Sequence, residues 1–193
     1  MRISSTLAVA IVCAAGCTKS GAHRMPSPSP QYPAPAPDPT SAPSQKLQAS
    51  AVIHDLSGAR VGTATFTDTY TGVLVTAHLT GLGLGAHGIH IHEVGKCDAP
   101  FATAGGHFNP EHRRHGFLNP NGSHLGDMPN IDTPAAGQLR FEFLLPGVTL
   151  KGTNALLDDD GAAIVVHTSR DDYSTDPSGN SGSRIGCGVI VAK

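Results

Sequence analysis

Apolar side chains between Val73 and Leu79 fall on every second position: Val73, Val75, Ala77 and Leu79 alternate with more polar neighbours. That period of two marks a strand with one face in a core. Runs of similar character predict strands over about 48–56, 60–69, 72–82 and 87–94, then over 138–145, 162–168 and 185–192, with a weaker one near 148–151. Turn residues such as Ser57-Gly58 and Tyr70-Thr71-Gly72 bound them. Residues 95–137 interrupt the series with Gly, Pro, Asn and His and no helical period. A stretch that long without elements of its own is uncommon unless it is functional. Seven or eight short strands predict an all-β domain, an eight-stranded antiparallel Greek-key β-barrel or sandwich with long loops.

Composition supports the same class. Glycine (23) and proline (15) favour turns over long helices, and a hydrophobic share of 39% supplies a core for one domain plus appendages in 193 residues. A formal net charge of −2 offers nothing global to nucleic acid or to an anionic membrane, so any electrostatic attraction is local. At the N-terminus, Arg2 precedes a short apolar run from Leu7 to Ala15 and then small residues before Cys17. This reads as a signal peptide over 1–16, too short to span a bilayer, and it predicts export to the periplasm or cell envelope. The AAGC ending is similar to the bacterial lipobox, which would leave Cys17 lipidated and the chain membrane-anchored; an ordinary signal peptide cut nearby is the alternative. Eight of the 15 prolines lie in 25–45, alternating with Ser and Ala, the composition of an extended spacer. The expected division is therefore 1–16 signal peptide, 17–46 anchor Cys and Pro-rich linker, and 47–193 folded domain.

Histidine carries the chemistry. Seven of the 11 fall between His87 and His124. His90 and His92 stand two apart on a predicted strand, so both imidazoles project from the outer face of the barrel while Ile89 and Ile91 enter the core. The run Ile164-Val165-Val166-His167 repeats the arrangement on another strand. In the long loop, His107, His115, His124 and Asp127 form an H-x7-H-x8-H-x2-D series. Three imidazoles and a carboxylate suit closed tetrahedral zinc, and imidazole also suits copper, so two metals are chemically reasonable. Cys97 and Cys187 stand 90 positions apart. In an exported chain such a pair bonds more readily than it ligates metal, and both readings are open at this point. Closing the loop would contribute about 4–5 kcal/mol in the chain-entropy model.

Taken in order, GAHGIHIHE, GGHFNP with His115 eight residues after His107, HLGD, VVH and GSRIGCGVI resemble the copper/zinc superoxide dismutase family over residues 50–193. DDYSTDPSGNSGSR is similar to its exported bacterial branch. The resemblance implies copper on His90, His92, His107 and His167, and zinc on His107, His115, His124 and Asp127, with His107 bridging the two. It implies that Asp171 links His90 to His115, that His87 braces the backbone under the copper strand, and that Cys97 and Cys187 form a disulfide. Two superoxide ions and two protons would become dioxygen and hydrogen peroxide by alternate reduction and oxidation of copper. Arg184 would receive the anion and His107 would exchange a proton, protecting the cell envelope. Superoxide is then the expected partner, with no nucleic acid, membrane contact only through the lipid anchor, and room for a homodimer. His54, His78 and His112 are expected at the surface or satisfied locally. Lys96, Arg113 and Arg114 either attract superoxide or only solvate their loops. The family's Glu/Lys/Thr steering pattern is not recognisable in 172–183. A non-catalytic copper-delivery barrel would bind metal without activity, and a disulfide-stapled adhesion-type sandwich would bind none.

Overall fold

Three successive alternating segments pair as an antiparallel meander: β1 (Gln48–Asp55), β2 (Arg60–Asp68) and β3 (Gly72–Thr80). The Asp55 carboxylate closes the first turn by accepting the N–H groups of Ser57 and Ala59 at 2.8 and 2.9 Å. This is a computed structural model, and it describes residues 46–193; the expected signal peptide, Cys17 and nearly all of the Pro-rich linker lie outside the described residues.

The 87–94 run divides at Gly88 into β4 (Gly85–His87) and β5 (Ile89–His92). The stretch 95–137, expected to lack strands, contains the short β6 (Ile131–Thr133), and after it come β7 (Gln138–Pro146), β8 (Ala163–His167), β9 (Arg184–Val189) and β10 (Val191–Ala192). The main sheet has eight strands, ordered β5-β8-β9-β1-β2-β3-β7 with β10 also on β1, and β4 pairs with β6 as a separate ribbon. Every pairing is antiparallel. Neighbours distant in sequence, β1 beside β9 and β3 beside β7, supply the crossing connections of a Greek key, and the sheet curls into a half-barrel. The expected all-β class is therefore observed.

Two further local expectations change. Residues 148–151 are not a strand but carry an isolated bridge, Thr149 to Ala155. Val148 and Leu150 are buried as a strand pattern requires, yet the Leu150 N–H goes to Asp68 Oδ1 at 2.9 Å and the Thr149 N–H to the Asn154 carbonyl at 3.0 Å. Those donors are taken by a distant side chain and a local turn, so no ladder forms. Within the long loop, Ala102–Ala104 makes one 3-10 turn, too short to leave a periodic signal.

The concave side of the sheet is filled by Ile53, Phe66, Leu79, Ile89, Ile91, Leu145 and Ile164, all fully buried. Each contributes about 1.5–3 kcal/mol relative to exposure. The outer face of β8 is buried too: Ala163 and Val165 pack with Phe101, Ala104 and Cys187 beneath the long loop. Cys97, near the start of that loop, is bonded to Cys187 of β9. The free edge of β5 is covered by two further passes of the loop. Ile91 donates to the Gly126 carbonyl at 2.9 Å, Phe108 donates to the Ile91 carbonyl at 2.8 Å, and Gly126 donates to Phe108 at 2.9 Å. Only glycine fits at 126, because a Cβ there would run into the Ile91 carbonyl oxygen. The loop is thus a lid sewn to the barrel wall.

Candidate metal centre

Period two on β5 sends His90 and His92 outward, and the β8 ladder brings His167 alongside; the lid adds His107. One nitrogen of each of these four imidazoles lies within 4.8 Å of the others. The three strand imidazoles project from the outer face of the wall as the strand period demands, but the lid buries them together with His107. The remaining nitrogens are mostly committed. His92 Nδ1 donates to the Gly105 carbonyl at 3.0 Å, His167 Nδ1 to the Gly182 carbonyl at 3.3 Å, and His90 Nε2 to Asp171 Oδ2 at 2.7 Å. That leaves the Nε2 atoms of His92 and His167 facing each other at 3.4 Å. His90 Nδ1 and His107 Nε2 are buried with no hydrogen-bond partner. Buried polar atoms without partners are costly, and converging lone pairs are what a cation satisfies. The residues fit a metal.

The second group lies entirely on the lid. Asp127 Oδ1 stands 2.9, 3.1 and 3.4 Å from Nδ1 of His107, His115 and His124. Its Oδ2 accepts the Gly116 and His124 backbone N–H groups at 2.9 and 3.0 Å. All four side chains are buried, with donor atoms within 4.8 Å of one another. Three nitrogens and a carboxylate, with no sulfur, form a set suited to zinc. His107 belongs to both groups, Nδ1 toward Asp127 and Nε2 toward the strand histidines. Asp171 joins the groups a second time, its Oδ1 accepting from His115 Nε2 at 3.0 Å and its Oδ2 from His90.

Electrostatics prepare these atoms for a cation. Burial, reinforced by repulsion from neighbouring imidazoles and despite the Asp127 hydrogen bond, lowers His107 to about 4. Burial likewise lowers His167 to about 3 and His92 well below the ordinary histidine value. Neutral imidazoles at neutral pH offer lone pairs without first shedding protons. Burial opposes charge on His115 as well, but its hydrogen bonds to Asp127 and Asp171 raise it to about 9. Both carboxylates lie well below their usual range despite burial, held there by hydrogen bonds from the histidines and the backbone.

Arg184 opens β9 and reaches the lid: Nη1 donates to the Phe101 carbonyl and Nη2 to the Gly105 carbonyl, both at 2.6 Å. The disulfide three residues further along β9 ties down the same stretch of lid. Arg184 and His107 line a cleft of about 440 Å³, shared with Glu93, Arg113 and Asp176. His87 sits buried, its Nδ1 2.8 Å from the His167 carbonyl and its Nε2 2.9 Å from that of Gly83. His54, His78 and His112 are exposed.

Other residues gave no warning in the sequence. Asn130 clamps Asp171 from both sides, its Oδ1 accepting the Asp171 N–H at 2.7 Å and its Nδ2 donating to the Asp171 carbonyl at 2.9 Å. Asp176 Oδ1 accepts the His115 N–H at 2.7 Å. Gly179, at φ 63°, leaves room for the Asp171 carboxylate, which a Cβ would strike. Asn, Asp and Gly are common loop residues, so only their contacts distinguish these.

The copper/zinc superoxide dismutase family matches residues 60–190. Superoxide dismutase [Cu-Zn] 1 of Aquifex aeolicus is 46% identical over 151 residues, covering 76% of this chain and 89% of that one. Superoxide dismutase [Cu-Zn] of Caulobacter vibrioides is 44% identical over 147 residues, covering 74% and 84%. Among solved structures, a SOD-like protein from Bacillus subtilis is 38% identical with a TM-score of 0.71, over 74% of this chain and 97% of that one. The Cu/Zn superoxide dismutase from Brucella abortus is 27% identical with a TM-score of 0.60, over 75% and 99%. A sequence this close to proteins named for the activity, with two groups of buried imidazoles of its own, is that of a copper- and zinc-dependent enzyme, and the chain belongs to the copper/zinc superoxide dismutase family.

Proposed function

We propose that copper is held by His90, His92, His107 and His167, zinc by His107, His115, His124 and Asp127, and that the enzyme removes superoxide in the cell envelope. The observation that carries the assignment is His107, which belongs to both groups, its Nδ1 2.9 Å from Asp127 Oδ1 and its Nε2 buried without a hydrogen-bond partner among the described residues. Copper, when bound, supplies the one-electron exchange that turns one superoxide into dioxygen and a second into peroxide. The protein's own part is electrostatic and geometric. Arg184 uses two of its N–H groups on lid carbonyls, and those left over present a permanent charge and a planar donor fork to a two-oxygen anion. His107 Nε2, buried and unpaired, is the atom that would hold and release a proton beside the substrate. Asp171 fixes the orientation of His90 and His115 through their far nitrogens, as carboxylates commonly do for metal-bound histidines. The envelope location rests on the N-terminal sequence, with Cys17 as the lipid-bearing residue. Pairing of two copies belongs to the same reading, and a sedimentation mass tests it.

The deciding experiment combines elemental analysis with superoxide decay. About one copper and one zinc per chain, with strong acceleration, is the expected result; no acceleration with both metals bound overturns the reading. Arg184→Ala should keep both metals and lose roughly ten- to a hundredfold in rate, the size expected for removing hydrogen bonds to a charged group. An unchanged rate removes Arg184 from its role. Cys17→Ser should release the protein from the membrane fraction, and retention there would sink the anchor.

A further inference from the structure

We infer that Arg113 draws the anionic substrate into the cleft; the role rests on the dismutase reading of the site, within which Arg113 is a positioning residue that does not touch the reacting atoms. The need for such a residue follows from charge. The polypeptide carries a formal net charge of −2, so apart from the bound metals its side chains as a whole offer an approaching anion no attraction, and those beside the cleft decide. Residues 172–183 contribute Asp172 and Asp176 and no cation.

Around the cleft, Arg184 and Arg113 stand against Glu93 and Asp176. Neither acid is free to move away. Glu93 Oε1 accepts the Gly106 N–H at 2.9 Å and Asp176 Oδ1 accepts the His115 N–H at 2.7 Å, both beside the metal-binding histidines. Without Arg113 the side chains of the lining would set one permanent cation, Arg184, against two carboxylates, offsetting part of the attraction of the bound metals.

Arg113 is built to stay there. Asn109 grips its backbone on both sides, Oδ1 accepting the Arg113 N–H at 3.0 Å and Nδ2 donating to the Arg113 carbonyl at 2.8 Å. The guanidinium remains half-exposed, its Nε 2.7 Å from Glu111 Oε2. Arg113 lines the cleft and Glu111 does not. Arg114 and Lys96 do not line it either, which separates Arg113 from the other basic residues of these loops. An exposed ion pair of this kind adds little to stability, so both partners can be changed with the fold intact.

The test uses the copper- and zinc-loaded enzyme, with metal content confirmed for each variant, and measures the second-order rate of superoxide decay against ionic strength. One unit charge about 10 Å from the path of the anion changes the rate roughly twofold in water. At low salt, Arg113→Gln should therefore lose about twofold, Arg113→Glu about fourfold, and Glu111→Gln should gain about twofold. All three should converge on the parent rate at about 1 M salt, where the screening length falls to about 3 Å. Titration of the copper absorption band with azide, a non-reacting anion, should rank the affinities in the same order. Equal low-salt rates for Arg113→Glu and the parent overturn the inference, and so does a deficit that persists at high salt, which marks a structural role. An inactive parent enzyme would instead sink the dismutase reading, while the azide series would still report on Arg113.

Discussion

The two ligand groups are built by different means. Three of the four residues in the proposed copper group stand on strands: His90 and His92 on β5 and His167 at the end of β8, where the ladder sets Ile89 against Val166 and His90 against Val165. Their direction follows from backbone hydrogen bonds and a period of two. The proposed zinc group, His107, His115, His124 and Asp127, has no ladder of its own beyond the isolated bridges His92–His107 and His90–Asp127. Holding so much irregular chain costs roughly 1–2 kcal/mol per ordered residue in backbone entropy. Local contacts offset that cost: the Asp127 carboxylate gathering two backbone donors, the seam along β5, and the disulfide. One group is placed by the barrel, the other by tethers.

Cutting the tether is the strongest way to break this comparison. Replacing Cys97 and Cys187 by Ser should cost about 4–5 kcal/mol in denaturant unfolding, an upper estimate because native strain is ignored. Hydrogen exchange should quicken through residues 96–130 while the β5–β8 ladder stays protected. Equal loosening of both would show that the strands depend on the lid as much as the reverse.

Asp171→Asn sharpens the comparison at the place where the groups meet. One carboxylate serves His90 of the strand group and His115 of the lid group, so affinity for both metals should fall, by about 10–100-fold in chelator competition. Loss of affinity for one metal alone would show that the groups are orientated independently.

The smallest expected effect is on pH dependence in the metal-free protein. An unfolded histidine titrates near about 6.5. Burial keeps His107 and His167 neutral down to about 4 and 3, so below that unfolded value the unfolded chain binds protons that the folded one refuses. Stability falls as pH drops through this window. The depressed carboxylates Asp127 and Asp171 act in the same direction at lower pH, their contribution being present above the unfolded carboxylate value and lost on acidification. His115 works the opposite way: raised to about 9, it contributes stability below the unfolded value that is lost as pH climbs toward 9. The thermal midpoint should therefore peak near about pH 6.5 and decline on both sides, and bound metals should flatten the curve. A monotonic profile contradicts this account.

The same division explains what could be read in advance. The strand group was legible because imidazoles at alternate positions, opposite Ile89, Ile91, Ile164 and Val166, break an otherwise apolar pattern. Residues 148–151 carry similarly spaced apolar side chains and mislead, because alternation reports which side chains face inward and says nothing about where the backbone donors go. Asp68 and Asn154 take those donors from distant and local positions. For the lid, spacing and family resemblance supplied the ligand identities, but not the Asn130 clamp on Asp171 or the clearance at Gly179.

By itself, then, the sequence determined the all-β class, the strand faces, the ligand types and the family. These follow from local periodicity, side-chain chemistry and motif order. Tertiary structure decided how the lid buries all seven side chains of the two proposed ligand groups, which carbonyls hold Arg184, and how Asp171 joins the groups. It also separated Arg113 from Arg114. The two are adjacent and chemically identical in sequence, but Arg113, its backbone held by Asn109, lines the cleft and Arg114 does not. Convergence of this kind depends on contacts between residues as far apart as His90 and Asp171, which no local pattern encodes.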